Sequence, residues 1–456
     1  MYNYHFFEYR DCYFLLHAET LNLYKLDEEL YKDIHEWRKT ENTPNPSFQQ
    51  ILKEMGISID SPGQDSSDNT PYSKSAVTQI CLNVSQTCNL NCVYCYGDDG
   101  EYGRRGLMKS DTAFKAVDWL IKFSEAKKTI IITFFGGEPL LNFNLIKKVV
   151  AYAKEKAPLF NKKVLFTITT NGCFLDNRVI DFLNQENFSI VVSCDGDLKA
   201  QQINRPFKSA IGSHKIIENN IANLISSRKL KSNTSARITV TKQNADLQTQ
   251  IAYLSELGFK KVNWAEAIFS SESSMQEQFK LTSDEYNEIL KYFDYLADTT
   301  IVAIKKREYP SDTRLIPHII RLHNKTKRYF FCGVGRGIVG ISIDGDIYPC
   351  HRFVGNDNYK IGNVKFENAL EYKSTLNLGV KNNICSDCWA RYFCGGGCVH
   401  EYTYSANSEQ NIPSEEGCNL IKKSIESAIF VFNSLSKEDK EFLFNRNKMK
   451  KEIYQP

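Results

Sequence analysis

Cys88, Cys92 and Cys95 stand in the run CNLNCVYC, a Cys-x3-Cys-x2-Cys spacing. Three thiolates this close in a loop can hold three irons of a 4Fe–4S cluster and leave the fourth iron without a protein ligand. A zinc site normally asks for a fourth Cys or His. An incomplete zinc site, or three incidental thiols, are the alternatives. A second group, Cys332, Cys350, Cys385, Cys388, Cys394, Cys398 and Cys418, lies in a Gly-rich stretch near the C-terminus. A zinc ribbon would use Cys385, Cys388, Cys394 and Cys398 and would leave the other three unexplained. Cys81 and Cys194 sit in apolar runs and read as small buried hydrophobes. Cys173 follows a strand and can approach whatever is built there, while Cys12 carries no signal.

Composition places these thiols in context. The chain has 456 residues, 42% hydrophobic and 24% charged, with a net charge of +3. This is the make-up of a globular protein with two or three domains. So small a charge calls for neither nucleic acid nor an anionic membrane as partner. No apolar run approaches the roughly 20 residues that span a bilayer, and MYNYHFFEYRDC lacks the order of a secretory signal. The expectation is a cytoplasmic protein. In a reducing compartment fourteen cysteines point to metal rather than disulfides.

The elements that must position the thiols come next. Tyr4 to His17 and Leu21 to Leu26 read as strands with a break at Arg10-Asp11. Asp27 can cap a helix carrying Leu30, Ile34 and Trp37 on one face, and Phe48, Ile51, Leu52 and Met55 mark a second. Residues 60–71 read as a linker. Strands are then expected at Gln79–Val84, Thr129–Phe135, Val164–Thr170, Phe188–Cys194, Ala236–Thr241 and Lys261–Ala265, alternating with helical patterns. That alternation predicts an α/β fold built as a partial (β/α)6 barrel. Its catalytic groups should stand at the C-terminal ends of the strands. The boundaries read as 1–72, a small α+β domain with its linker, 73–325, the barrel, and 326–456, the cysteine-rich domain.

The cysteine loop follows the first barrel strand, and its spacing resembles that of the radical S-adenosylmethionine (SAM) superfamily. Gly136-Gly137-Glu138-Pro139 after the second strand matches that family's GGEP motif. Thr170-Asn171-Gly172 follows the third strand, and Ser193-Cys194-Asp195-Gly196, matching Ser-x-Asp-Gly, ends the fourth. Arg205 lies where related peptide-modifying enzymes have an arginine. The resemblance implies that Cys88, Cys92 and Cys95 ligate the catalytic cluster, and that S-adenosylmethionine is cleaved there to a 5′-deoxyadenosyl radical. It also implies that the cofactor is contacted by Tyr94 (adenine), Gly136 and Gly137 (close backbone approach), Glu138 (ammonium group), Asn171, Ser193, Asp195 and Arg205, with Ser193 and Arg205 at the ribose and carboxylate ends.

The C-terminal pattern is similar to the SPASM extension of such enzymes, which holds two auxiliary 4Fe–4S clusters. On that resemblance Cys332, Cys350 and Cys398 hold the inner cluster, and Cys385, Cys388, Cys394 and Cys418 the outer one, making three clusters in all. Relatives with an eighth cysteine place it just before the first of these, where residues 324–328 have none, which implies one open iron. An open iron can bind a substrate thiolate. The Cys350-His351-Arg352 context and Tyr102-Gly103 resemble thioether-forming maturases of ribosomal peptides, of the sactipeptide and ranthipeptide kind. The N-terminal unit resembles their winged-helix-like peptide-recognition element, so a precursor peptide with a leader sequence is the implied partner, with a flavodoxin or ferredoxin as electron donor. The rival is an anaerobic sulfatase-maturing enzyme, in which an Asp follows the cysteine corresponding to Cys350; here His351 stands there. Carbon–carbon cross-linking of a peptide and, from a different class, a zinc-binding scaffold are the other readings.

Overall fold

The computed structural model describes residues 3–40, 46–54, 76–209, 214–228, 233–269, 274–366, 379–381, 384–404 and 413–444. The linker expected at 60–71 lies outside these residues, as does Met55.

The chain opens with three antiparallel strands, β1 (Tyr4–Tyr9), β2 (Cys12–His17) and β3 (Asn22–Leu26). Arg10 and Asp11 take positive φ angles of 51° and 56°, as the tight turn between β1 and β2 requires. The central strand explains its own Phe-Leu-Leu run, because it is buried on both faces. Leu15 and Leu26 pack with Ile34 of the helix Glu28–Thr40, which Asp27 caps by accepting the Leu30 amide. Phe14 and Leu16, on the opposite face, pack with Phe7 against Tyr392, Phe393 and Ile425 from the far end of the chain. The second helix runs Pro46–Glu54, with Ile51 exposed.

Strand β4 (Gln79–Gln86) leads the cysteine loop and pairs near its end with the short β5 (Gly106–Leu107). There follow β6 (Thr129–Gly136), β7 (Lys163–Thr170), β8 (Ser189–Ser193), β9 (Thr234–Val240) and β10 (Val262–Glu266). All six expected barrel strands are present, parallel, in the order β10-β9-β8-β7-β6-β4. Helices such as Ser110–Phe123, Phe143–Lys156 and Asn177–Gln185 intervene. Alternation assigns the faces: Ile130, Ile132 and Phe134 of β6, Ile190 and Val192 of β8, and Ala236, Ile238 and Val240 of β9 are buried in the outer core. Their neighbours, Phe135, Ser193 and Arg237 among them, therefore face the barrel interior.

One strand departs from expectation. β11 (Ile338–Ile341) pairs parallel to β4 on the side away from β6, and β12 (Asp346–Tyr348) and β13 (Gly362–Asn363) extend the sheet antiparallel. The cysteine-rich region thus adds a seventh parallel strand to the barrel sheet. Among the described residues no helix is long and apolar enough to cross a membrane.

Candidate active site

Backbone geometry, not side-chain bulk, shapes the mouth of the barrel. Gly136 ends β6 with φ +132°, and a Cβ there would stand 2.0 Å from the Ser85 carbonyl oxygen. At Gly137 the corresponding contact, to the Thr87 carbonyl oxygen, is 2.3 Å. Two backbone hydrogen bonds, from the Gly137 amide to the Ser85 carbonyl oxygen at 2.7 Å and from the Glu138 amide to that of Thr87 at 2.9 Å, fasten this turn to the start of the cysteine loop. Cys88, Cys92 and Cys95 sit within electrostatic reach of one another. Cys88 Sγ accepts the Leu90 amide at 3.4 Å and lies 3.8 Å from the Asn171 side-chain nitrogen, and Cys95 accepts amides from Gly97 and Gly100. Burial pushes the Cys88 thiol up to about 11 and Cys92 to about 12. A thiol so placed ionises only with help, and a bound metal supplies it.

Glu138 is completely buried. Its oxygens accept the Leu140 amide at 3.0 Å, the Thr170 hydroxyl at 2.8 Å and the Asn171 amide at 2.7 Å. Burial raises its pKa to about 7 despite these donors. In this arrangement Glu138 ties the end of β6 to the end of β7, and Oε2, with a single donor, keeps a lone pair for a further one. Asn171 accepts the Cys173 amide through its side-chain oxygen and donates to Asn89 at 2.8 Å, so it braces the cysteine loop. Cys173 is within reach of Cys88, and burial raises it to about 12.

The Tyr94 hydroxyl donates to Asp195 Oδ2 at 2.5 Å and accepts from Arg205 Nη1 at 2.7 Å. Asp195 Oδ1 accepts the Thr239 amide at 2.9 Å. Burial alone would depress Arg205, yet Cys92, Tyr94 and Asp195 together hold it firmly cationic. Ser193 ends β8 on the interior face beside them. Buried polar atoms without partners include both ends of the Asn83 amide, on β4, Asn89 Nδ2 in the cysteine loop, Asn204 Nδ2 and Arg205 Nε. Unsatisfied buried donors beside clustered thiols fit a polar cofactor with acceptors of its own.

The second constellation assembles in two groups. Cys332, Cys350 and Cys398 lie within reach of one another, as do Cys385, Cys388, Cys394 and Cys418. Backbone amides point at the sulfurs as in the first loop: Val334 to Cys332, Arg352 to Cys350, Gly396 and Gly397 to Cys394. Gly395, Gly396 and Gly397 all take positive φ, at 78°, 92° and 78°, which aims those amides inward. Among the described residues no three Cys, His, Asp or Glu side chains converge closely enough to hold a single metal ion. Cys81, on β4, approaches Cys350 but not the other two.

Tyr96, next to Cys95, links the two constellations: its ring centroid lies 6.1 Å from that of His351 and 5.9 Å from that of His400. Burial, with Arg352 and Arg237 beside it, lowers His351 to about 3, so its imidazole is neutral. Tyr96 and Arg237 were not singled out from sequence, and Arg352 only as part of the Cys350-His351-Arg352 run. Only the lone arginine amid the apolar β9 run offered a signal.

Residues 82–246 match the model of the radical SAM superfamily, and residues 332–389 that of an iron–sulfur cluster-binding domain, SPASM. The radical SAM cyclopropyl synthase TigE of Paramaledivibacter caminithermalis is 24% identical over 344 residues, 71% of this chain and 68% of that protein. A cysteine-type anaerobic sulfatase-maturating enzyme of Clostridium novyi is 26% identical over 380 residues, 77% of this chain and 94% of that one. Among solved structures, anSMEcpe with bound AdoMet and the Kp18Cys peptide superposes with TM-score 0.64 at 20% identity, over 78% of this chain and 99% of that one. Streptococcus suis SuiB bound to the precursor peptide SuiA does so with TM-score 0.53 at 16% identity, over 91% of this chain and 98% of that one. With a cysteine loop at the mouth of a parallel barrel and two further thiol groups behind it, residues 82–246 are a radical SAM domain and residues 332–389 lie in a SPASM iron–sulfur domain.

Proposed function

We propose that this chain is a peptide maturase that joins a cysteine sulfur to a carbon of a ribosomally made precursor, forming a thioether. The observation that carries the reading is the inner thiol group: three cysteines, Cys332, Cys350 and Cys398, gather where a 4Fe–4S cluster fully held by protein needs four. One corner is then left for a substrate thiolate. Cys88, Cys92 and Cys95 would hold the catalytic cluster, and Cys385, Cys388, Cys394 and Cys418 the outer one. When bound, the catalytic cluster and S-adenosylmethionine supply a carbon-centred radical that takes hydrogen from an unactivated carbon. The protein's part is to hold and shield. Tyr94, Asp195 and Arg205 form a fixed polar wall, Gly136 and Gly137 let backbone approach closely, and Tyr96, His351 and Phe135 close the interior with aromatic rings. Net, one C–H and one S–H bond give way to one C–S bond. The peptide loses two hydrogens, and S-adenosylmethionine is the two-electron oxidant.

The N-terminal sheet supports a peptide as substrate. Neither outer edge of β1 or β3 pairs with another strand among the described residues, so an edge is open to strand addition by a leader segment. His351 stands where the resemblance to sulfatase-maturing enzymes would require an aspartate, and that departure speaks against sulfatase maturation.

The test is anaerobic turnover of a Cys-containing precursor, read by mass. The expected product is lighter by two hydrogens per link, and replacing every substrate Cys with Ala removes the loss. A loss that survives that replacement would instead identify a carbon–carbon bond, the class of bond in the name of the relative TigE. Cys81→Ala belongs in the same series: the reading requires that it leave the two-hydrogen loss in place.

A further inference from the structure

Three arginines crowd the barrel interior between the two constellations. Arg237 projects inward from β9, between Ala236 and Ile238, which are buried in the outer core. Arg352 follows Cys350, with its guanidinium 5.1 Å from the centre of the Tyr96 ring. Arg314 lies over Trp264, 3.5 Å from the ring centre, and donates from Nη2 to the Trp264 carbonyl oxygen at 2.6 Å, while its buried Nε has no partner. Arg352 and Arg314 both lie close enough to depress Arg237, which burial has already lowered, to about 10.

The carboxylates nearby balance these charges only in part: Asp195 acts on Arg237, and Asp312 and Glu266 act on Arg314. Asp195 is committed to Tyr94 and the Thr239 amide. Asp312 accepts from Trp264 Nε1 at 2.8 Å and from Tyr292 at 3.1 Å. Glu266 is raised by burial to about 7, and Glu401 is also raised. Among the described residues the Arg237 and Arg352 guanidinium groups make no hydrogen bond or ion pair. Arg237 and Arg352 are each part-buried, and two cations held close together repel unless a ligand brings negative charge between them. Aromatic rings lie beside both Arg352 and Arg314, and a planar guanidinium can make a two-pronged grip on a carboxylate.

We propose that Arg237, Arg352 and Arg314 form a subsite for a carboxylate of the substrate peptide, an Asp or Glu side chain lying beside the residue that reacts. This rests on the peptide reading above and names which peptides the chamber prefers. The S-adenosylmethionine carboxylate is chemically equivalent, but Arg205, beside Cys92 and Asp195, is the group placed for it.

The test uses the full chain, purified anaerobically with its clusters, and equilibrium dialysis of labelled N-acetyl-aspartyl amide and N-acetyl-asparaginyl amide. With saturating S-adenosylmethionine present, the aspartyl probe should bind about tenfold more tightly than its amide analogue. In Arg237→Gln and in Arg352→Gln that ratio should shrink to within about twofold, and Arg237→Lys should keep part of it. Equal binding of the two probes by the unaltered protein overturns the proposal without any variant having to fold. So does a preference that survives both substitutions, or one that S-adenosylmethionine abolishes, which would give the arginines to the cofactor. The readout is binding, not turnover, so failure here leaves the mass test of the thioether reading standing, and failure there leaves this one interpretable.

Discussion

A hydroxyl shared between an acid and a base decides what Tyr94 does. Its ring is expected against the adenine, while its oxygen bridges Asp195 and Arg205 at 2.5 and 2.7 Å. Tyr94→Phe keeps the ring and removes the bridge, leaving two buried charged groups each short of a partner, at about 1–3 kcal/mol. The KM for S-adenosylmethionine should rise by roughly tenfold; an unchanged KM would leave only the ring face to the cofactor. Glu266 gives a second test, in pH. Burial lifts it from 4.5 to about 7, opposed by a hydrogen bond from Tyr286 and by Arg314 and reinforced by Glu401 and Glu416. Folding therefore favours its protonated form. The stability this contributes is complete below about pH 4.5 and disappears as pH rises through about 7. Glu266→Gln, neutral throughout, should match the parent at pH 5 and exceed it at pH 8 by up to roughly 3 kcal/mol. Parallel melting curves of the two proteins across that range would refute the assignment.

Glycines set the spacing of elements at the barrel mouth, and they do not do so equally. Gly136→Ala puts a Cβ 2.0 Å from a carbonyl oxygen of β4 at φ +132°, so β4 and β6 must part. Gly103, at φ +71°, would meet nothing nearer than the Gly355 carbonyl oxygen at 3.6 Å. The first substitution should cost about 3 kcal/mol or more and reduce iron uptake, and the second about 1 kcal/mol. Equal melting temperatures for the two variants would show that the turn can yield. The six barrel strands were readable because their apolar alternation reports a sheet buried under helices. β11 was not. It is four residues long, follows Gly337 and contains Gly340, and gains its meaning by pairing with β4, more than 250 residues earlier. The cysteines and the GGEP turn were equally plain as motifs, since their spacing is local. What Glu138 does with its oxygens was hidden, because Thr170 and Asn171 reach it only after β6 and β7 lie side by side. The arginine chamber was hidden likewise: Arg237, Arg314 and Arg352 are far apart in sequence and meet only across the barrel.

At the scale of the whole molecule the first strands and the last domain are one construction. The face of the N-terminal sheet carrying Phe7, Phe14 and Leu16 packs on Tyr392 and Phe393, between the cysteines of the outer group. Glu19 seals the seam. It pairs with Arg391, which is 6% exposed, and with Lys327 at 2.7 Å, and Tyr392 donates to it at 3.3 Å. Arg391 in turn donates to the Cys388 carbonyl oxygen at 2.9 Å, so a residue of the first domain holds the backbone of a proposed cluster ligand in the last. A peptide docked on the N-terminal sheet would therefore be registered against the SPASM domain directly. Glu19→Ala would leave Arg391 buried and uncompensated, a loss of about 3–5 kcal/mol, concentrated where Cys385, Cys388 and Cys394 must stay in register. The expected outcome is selective: iron and sulfide falling from about twelve to about eight per chain as the outer cluster is lost, with the cluster at Cys88, Cys92 and Cys95 still cleaving S-adenosylmethionine. Glu19→Gln, which keeps an acceptor for Arg391, should retain more iron than Glu19→Ala. Full iron content in Glu19→Ala would show that the seam is a contact between two independently stable bodies, and that peptide recognition at one end does not depend on the metal-bearing domain at the other.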